Sequence, residues 1–270
     1  MFSKILAKDF KSLLRQKRGI TIAILPVIVS LFAIIYTILM YVVKKYVNIN
    51  EPALDEIGFG KLSYMPSTLM FSAFMASYGI IVIMILAGSL ISSEIKNKQW
   101  ILPLNAGHSS KKLFLSKLIS SECWIAGSVV VGMLVHFLFT VIFCKPEGAF
   151  VWQILATYFF IMLNILLYVD IVICFNFITK KAWIGIVISL VCLIILPEVL
   201  FEIPIGTSNL CKYTPFSLTL LCNNGLLFTT TNFTSIFTTA QWISTVISYV
   251  AVFVLLPVWA VSVSKLKPKK

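Results

Sequence analysis

Charge is scarce in this 270-residue chain: Asp, Glu, Lys and Arg together make up 12% of it, and only 10 residues are acidic against 22 basic. A soluble domain carries about 25% charged residues. With 59% hydrophobic residues and a mean hydropathy of +0.99, that class is excluded. Histidine is scarcer still. His108 and His136 are the two present, which leaves no HExxH helix and no Ser–His couple for a protease inside the membrane. No Gly-rich GxxxxGK[ST] loop occurs, so the chain has no phosphate cradle with which to hydrolyse a nucleotide itself. The six cysteines form no CxxC pair and no metal spacing. Cys123, Cys174 and Cys192 fall in apolar runs, where a thiol packs as a small apolar group. Cys211 and Cys222 share one loop, where pairing and separate thiols are both open.

Long apolar runs take the place of charge. An α-helix needs about 20 apolar residues to cross a hydrocarbon core, and six runs meet that length: about 20–43, 67–91, 118–143, 149–177, 182–200 and 242–263. None alternates in the manner of a membrane β-strand. The fold class is therefore an all-α integral membrane protein, a single domain with six transmembrane helices. Residues 1–18 do not read as a signal peptide, because basic residues run through them and no small-residue cleavage site follows. At a helical period, Phe2, Ile5, Leu6, Phe10, Leu13 and Leu14 share one face, while Lys4, Lys8, Lys11, Arg15 and Arg18 share the other. That pattern predicts an amphipathic helix lying in the membrane interface.

Orientation follows from the basic residues. Seventeen of the 22 lie in the N-terminal helix, in 92–117, at Lys180 and Lys181, and in the C-terminal tail; Lys44, Lys45, Lys61, Lys145 and Lys212 lie opposite. The positive-inside rule makes both termini cytoplasmic. The net charge of +12 then meets anionic lipid headgroups rather than nucleic acid, since it flanks the spans instead of studding a soluble aromatic surface. Two outer segments remain. One carries the acidic cluster Glu51, Asp55 and Glu56. The other, 201–241, contains stretches too apolar for a solvated loop and too short to span, which predicts a re-entrant pair of half-helices before the last span. Its Asn232-Phe-Thr sequon has no evident use in such a chain.

Ionisable groups inside spans are expensive and merit individual weighing. Glu122, near the inner end of the third span, reaches cytosolic water or pairs with Lys117. Asp170 is deeper in the fourth, flanked by Asn164 and Asn176 at offsets of six. Each offset turns the helix by about 240° net, so the three spread around it. Asp170 either lines a polar path or makes a structural contact with Lys180 and Lys181. His136 reads as a hydrogen-bonded packing residue rather than a proton relay. No series of ionisable groups crosses the membrane, which argues against proton- or sodium-coupled transport.

The connector between the second and third spans, 92–117, is basic and polar, yet Trp100, Ile101 and Leu102 form an apolar cluster that a solvated loop does not need. Lys96, Lys98, Lys111 and Lys112 would form a polar rim around it if it entered a partner's groove. The other reading is that Trp100 anchors the loop to headgroups.

This layout resembles the membrane subunit of type-2 ATP-binding-cassette exporters: an interfacial helix, six spans, a connector between spans two and three, and an apolar outer excursion before span six. Glu94 matches that family's acid leaving span two, Ile101 and Leu102 its apolar pair, Ser109, Ser110 and Lys111 its Ser-Arg step, and Lys117 its closing lysine. Lys98 and Gln99 stand where the family has Gly-Thr, and Gly107 stands in the usual proline place. The resemblance implies that residues 95–112 form a coupling helix seated on a separate ATPase. It further implies two ATPase subunits that hold ATP and magnesium, a second identical or related permease, no cofactor bound by this chain, and no catalysis by it.

Two functions follow. One is the permease of an ATP-driven exporter in a bacterial plasma membrane. Its small unfused size resembles that of permeases that clear lantibiotics and other antimicrobial peptides; Glu51, Asp55, Glu56, Glu198 and Glu202 either attract a cationic peptide at the outer face or simply solvate the outer segments. The alternative is a non-transporting scaffold or regulator whose connector recruits a different cytosolic partner.

Overall fold

The computed structural model describes residues 2–47, 62–97, 99, 103–104, 107, 109–146, 151–206, 208–223 and 237–263. Within them, six helices are long and apolar enough to cross a membrane. Helix α1 (Phe2–Arg15) turns at Gln16 into α2 (Lys17–Val47), the first span. The second span is α3 (Tyr64–Phe74), a π-helical turn (Met75–Gly79) and α4 (Ile80–Lys96); α5 (Ser110–Phe143) and α6 (Val151–Thr179) are the third and fourth. The fifth is α7 (Ala182–Leu190), a second π turn (Val191–Ile195) and α8 (Leu196–Glu202). A two-stranded hairpin follows, β1 (Pro204–Ile205) and β2 (Ser208–Asn209), then the short α9 (Ser217–Asn223) and the sixth span α10 (Thr239–Val263).

The helices outrun their apolar stretches, because the polar flanks continue the same backbone pattern. Helix α4 runs on to Lys96, and α5 begins at Ser110 instead of near 118. Ser109 starts it: its backbone is extended, and its hydroxyl accepts from the Lys112 amide at 3.4 Å. The connector thus narrows from the expected 92–117 to 97–109. Between the fourth and fifth spans the turn closes on Lys180, which takes the left-handed conformation with φ 57° and donates its amide to Asn176.

The fourth span sits at the centre. Of its most apolar stretch 72% is buried inside the protein, against 22% for the fifth span and 11% for the sixth. Its polar residues point in three directions, as the helical wheel requires, and each meets a different neighbour. Asn164 accepts from Thr219 of α9 at 3.0 Å. Asn176 donates to the Gly88 carbonyl of α4 at 3.2 Å and accepts from the Gly185 amide of α7 at 3.0 Å. A side chain on either glycine would collide with Asn176, so this single amide joins three spans at close range. The first and third spans approach equally closely. Gly132 lies against the backbone of Pro26, and Ser30 donates to the Gly132 carbonyl at 2.6 Å.

At the end opposite the connector, Leu62 to Tyr64 and Lys145 pair through backbone hydrogen bonds, which tie the start of the second span to the end of the third. Helix α9 enters the bundle. Thr219 meets the Tyr168 hydroxyl at 2.9 Å, Ser72 donates to the Cys222 carbonyl, and Leu218 and Cys222 are buried. Asn164 and Tyr168 stand near the middle of the fourth span, so α9 reaches into the membrane-spanning layer without crossing it, as expected of a re-entrant segment. The expected second half-helix falls largely in 224–236, outside the described residues, as do the sequon and the acids Glu51, Asp55 and Glu56.

Candidate functional site

Helix α1 carries one acid, Asp9, and it stands on the apolar face, one turn from Ile5 and one from Leu13. An acid there must find a partner or break the face. It finds Lys117 in the first turns of α5: the ammonium nitrogen lies 2.8 Å from Asp9 Oδ1 and 2.7 Å from Glu94 Oε1, at the last turn of α4. Ser116 donates to Asp9 Oδ2 at 2.6 Å. Asp9 and Glu94 are buried, and Glu94 Oε2 has no hydrogen-bond partner. One cation holds two anions from two other helices, directly at the roots of the connector.

Further contacts brace the same corner. Trp124 donates its indole N–H to the Gly19 carbonyl at 2.9 Å and packs edge-on against Phe10, with ring centroids 5.4 Å apart. Arg18 donates to the Ser89 carbonyl at 2.8 Å. The apolar face of α1 is therefore shared: Leu13 is buried against the bundle, whereas Leu14 points outward and is half exposed.

One further turn along α5 the chemistry changes. Glu122 is five residues beyond Lys117, about 140° around the helix, and does not pair with it: Lys117 is taken by Asp9 and Glu94. Nor does Glu122 reach free solvent with both oxygens, since its Oε1 is buried without a partner. Its acidic neighbour is Asp170 of α6, near enough for the two carboxyl groups to interact electrostatically. Asp170 is fully buried. Its Oδ1 receives a long contact from the Cys174 thiol at 3.5 Å, and its Oδ2 receives nothing. Lys180 and Lys181, the expected partners, lie exposed beyond the helix end, and among the described residues no ion pair involves either carboxyl. Tyr249 of α10 donates its hydroxyl to the Leu163 carbonyl of α6 at 3.2 Å. Among the described residues no group of three or more His, Cys, Asp or Glu could hold a metal ion.

His136 lies in the opposite half of α5. It is stacked on Phe71 at 4.5 Å; one ring nitrogen is 3.2 Å from the Ser67 hydroxyl and the other meets the Tyr158 hydroxyl. Both of its nitrogens are therefore engaged within the bundle.

The described residues among those expected to form one docking surface take different places. Glu94 is buried in the ion triad, at the base of the connector rather than on its surface. Ser109 caps α5, and Lys111 and Lys112 are exposed on its first turn. Lys96 closes α4. Lys98, Trp100, Ile101 and Leu102 fall outside the described residues. Glu198 and Glu202 are exposed on α8, at the opposite end of the molecule. Cys211 and Cys222 are buried free thiols.

Sequence reasoning missed Asp9, and the signal was present: one acid within an apolar stripe of a helix whose other charges are all basic. It also missed that Tyr249 would reach the Leu163 carbonyl of the fourth span, because that bond joins residues far apart in the chain.

A family model described as ABC-2 family transporter protein matches residues 13–196. That range contains Glu94, Lys117, Glu122 and Asp170, and leaves out Asp9 and Tyr249. No curated protein matches the chain.

Proposed function

The chain belongs to the ABC-2 family of transporter proteins, and from that membership we propose that it is the permease subunit of an ATP-driven exporter. Two copies of this chain, or this chain and a related one, assemble with two ATPase subunits that bind ATP and magnesium. Both termini and the connector 97–109 face the cytoplasm of a bacterial cell. The substrate moves outward, and a cationic antimicrobial peptide fits the scarcity of acids elsewhere and the exposed Glu198 and Glu202 at the outer end.

The observation that carries this reading is the Asp9–Lys117–Glu94 triad. A coupling segment transmits force only if its roots are fixed, and here one lysine clamps the end of the second span, the start of the third and the amphipathic helix together. Movement imposed on the connector by an ATPase passes into both spans and into α1 at once. A buried, multiply hydrogen-bonded ion cluster of this kind holds geometry even where its net stabilisation is small.

The test is affinity purification of the full chain from native membranes in mild detergent, with identification and ATPase assay of the subunits that come with it. A stoichiometric ATPase is expected. Trp100→Ala and Leu102→Asp should abolish its association while leaving membrane insertion unchanged. Undiminished co-purification with both variants would remove the connector as the contact. Reproducible absence of any ATPase from the intact wild-type chain would favour a scaffold or regulator instead.

A further inference from the structure

Helix α1 presents three sectors around its axis. Ile5, Asp9 and Leu13 face the bundle, with Asp9 and Leu13 buried. A second apolar sector lies beside it and is covered only in part. Leu14 there is 51% exposed, and an open groove of about 430 Å³ runs along Ser3, Leu6, Ala7, Phe10 and Leu14 with Lys11 at its edge. Lys8, Lys11 and Arg15, all exposed, form the third sector. At 100° per residue Ala7 and Leu14 stand next to Lys11, so the groove and the basic row share a border. The burial of Asp9 decides the charge of what remains. It is the one acid of α1, and Lys117 and Ser116 hold it inside; among the described residues of α1 every charged side chain left at the surface is basic. An apolar groove edged by cations and by no anion matches an acyl chain joined to a negative headgroup. A second copy of the helix would instead set two basic rows against each other, which opposes association. The matched family region begins at residue 13, so the groove and its lysines lie almost wholly outside it.

We propose that α1 carries a binding site for one anionic phospholipid, with an acyl chain in the groove along Leu6, Phe10 and Leu14 and the phosphate beside Lys8 and Lys11. This goes beyond the interfacial placing of the helix, for which any lipid serves, and it does not depend on the permease reading. The basic row alone would hold any anionic surface and the groove alone any chain; their shared border selects a molecule that has both. Phe10 also packs on Trp124 of α5, and Asp9 pairs with Lys117. A lipid seated in the groove therefore secures the helix that braces the roots of the connector.

The measurement is native mass spectrometry of the full chain, with any co-purifying subunits, titrated in mild detergent with an equimolar mixture of phosphatidylglycerol and phosphatidylcholine of identical chains. One phosphatidylglycerol should be retained in preference by on the order of twentyfold, since each basic side chain beside an anionic headgroup contributes about fivefold. Lys8→Gln with Lys11→Gln should remove that preference. Ala7→Phe, which fills the groove from an exposed position, should weaken retention of both lipids. Lys180→Asn with Lys181→Gln removes the same charge from an exposed turn away from α1 and should change nothing. Equal retention of the two lipids by the wild-type chain would overturn the site. So would a preference that survives Lys8→Gln with Lys11→Gln in monodisperse protein. Retention that Ala7→Phe leaves intact would also overturn it, because the attraction would then be that of a basic surface without a groove. Loss of a co-purifying subunit or of a dimer from these variants, with lipid retention unchanged, would assign the groove to a protein partner instead. None of these outcomes depends on ATP, so the site and the permease reading stand or fall separately.

Discussion

Two pairs of acids flank the same stretch of α5 and are treated oppositely. Asp9 and Glu94 converge on Lys117, with both ion contacts under 3 Å. Glu122 and Asp170 converge on no basic side chain and keep unsatisfied oxygens. Five residues separate Lys117 from Glu122, so the difference is not one of remote environments. The first pair ties three helices through one shared lysine, although Glu94 Oε2 is left without a partner. The second pair has no such bridge. What separates the two is the cation, not the unsatisfied oxygens, which both pairs keep.

Removing the lysine is the most severe way to break this contrast. Lys117→Met leaves two buried carboxylates without a counter-charge and is expected to lower stability by about 3–5 kcal/mol, read as loss of detergent-solubilised yield and of melting temperature. Adding Asp9→Asn and Glu94→Gln to that variant should recover most of the loss, since the uncompensated charge is then gone; a triple variant no better than Lys117→Met would show that the lysine acts through packing alone.

A milder change tests whether α1 is truly fastened by its acid. Asp9→Asn keeps shape and removes one charge-assisted contact, for an expected loss of about 1.5–3 kcal/mol. Limited proteolysis within residues 2–15 should accelerate in step, and unchanged cleavage would mean that Leu13 and Phe10 hold the helix unaided. The smallest effect belongs to the second pair. Glu122→Gln combined with Asp170→Asn should leave the stability within about 1 kcal/mol of wild type, or raise it, because no ion pair is lost. A large loss there would reveal a structural partner and erase the contrast between the clusters.

Much of the architecture is legible in the sequence because the bilayer admits few solutions: apolar runs of sufficient length must be helices, and six appear. The helical period likewise places Asn164, Asp170 and Asn176 on three sides of one helix, which becomes intelligible once that helix proves central and meets a neighbour on every side. Helix ends were less legible. Apolar length marks where lipid begins, whereas Ser109 decides where the helix begins. The acids were read least well, since sequence offers Lys117 as a partner for Glu122 by proximity along the chain, and Lys180 for Asp170 likewise. Helix rotation defeats the first pairing and distance along α6 defeats the second, while Asp9, more than a hundred residues from Lys117, becomes its partner through the fold.

The amide of Asn176 has one more consequence. It rivets the second and fifth spans to the fourth at Gly88 and Gly185, on the connector side of both π turns, Met75–Gly79 and Val191–Ile195. A π turn carries an extra residue in one helical winding and is the easier place for a helix to re-register. The same two spans are therefore stiff levers toward the connector and jointed beyond it, with the joints at matching positions on either side of a fixed central post. Displacement delivered at the connector root would pass through the stiff segments as far as Asn176 and be taken up as bending in the far half, where α9 is lodged.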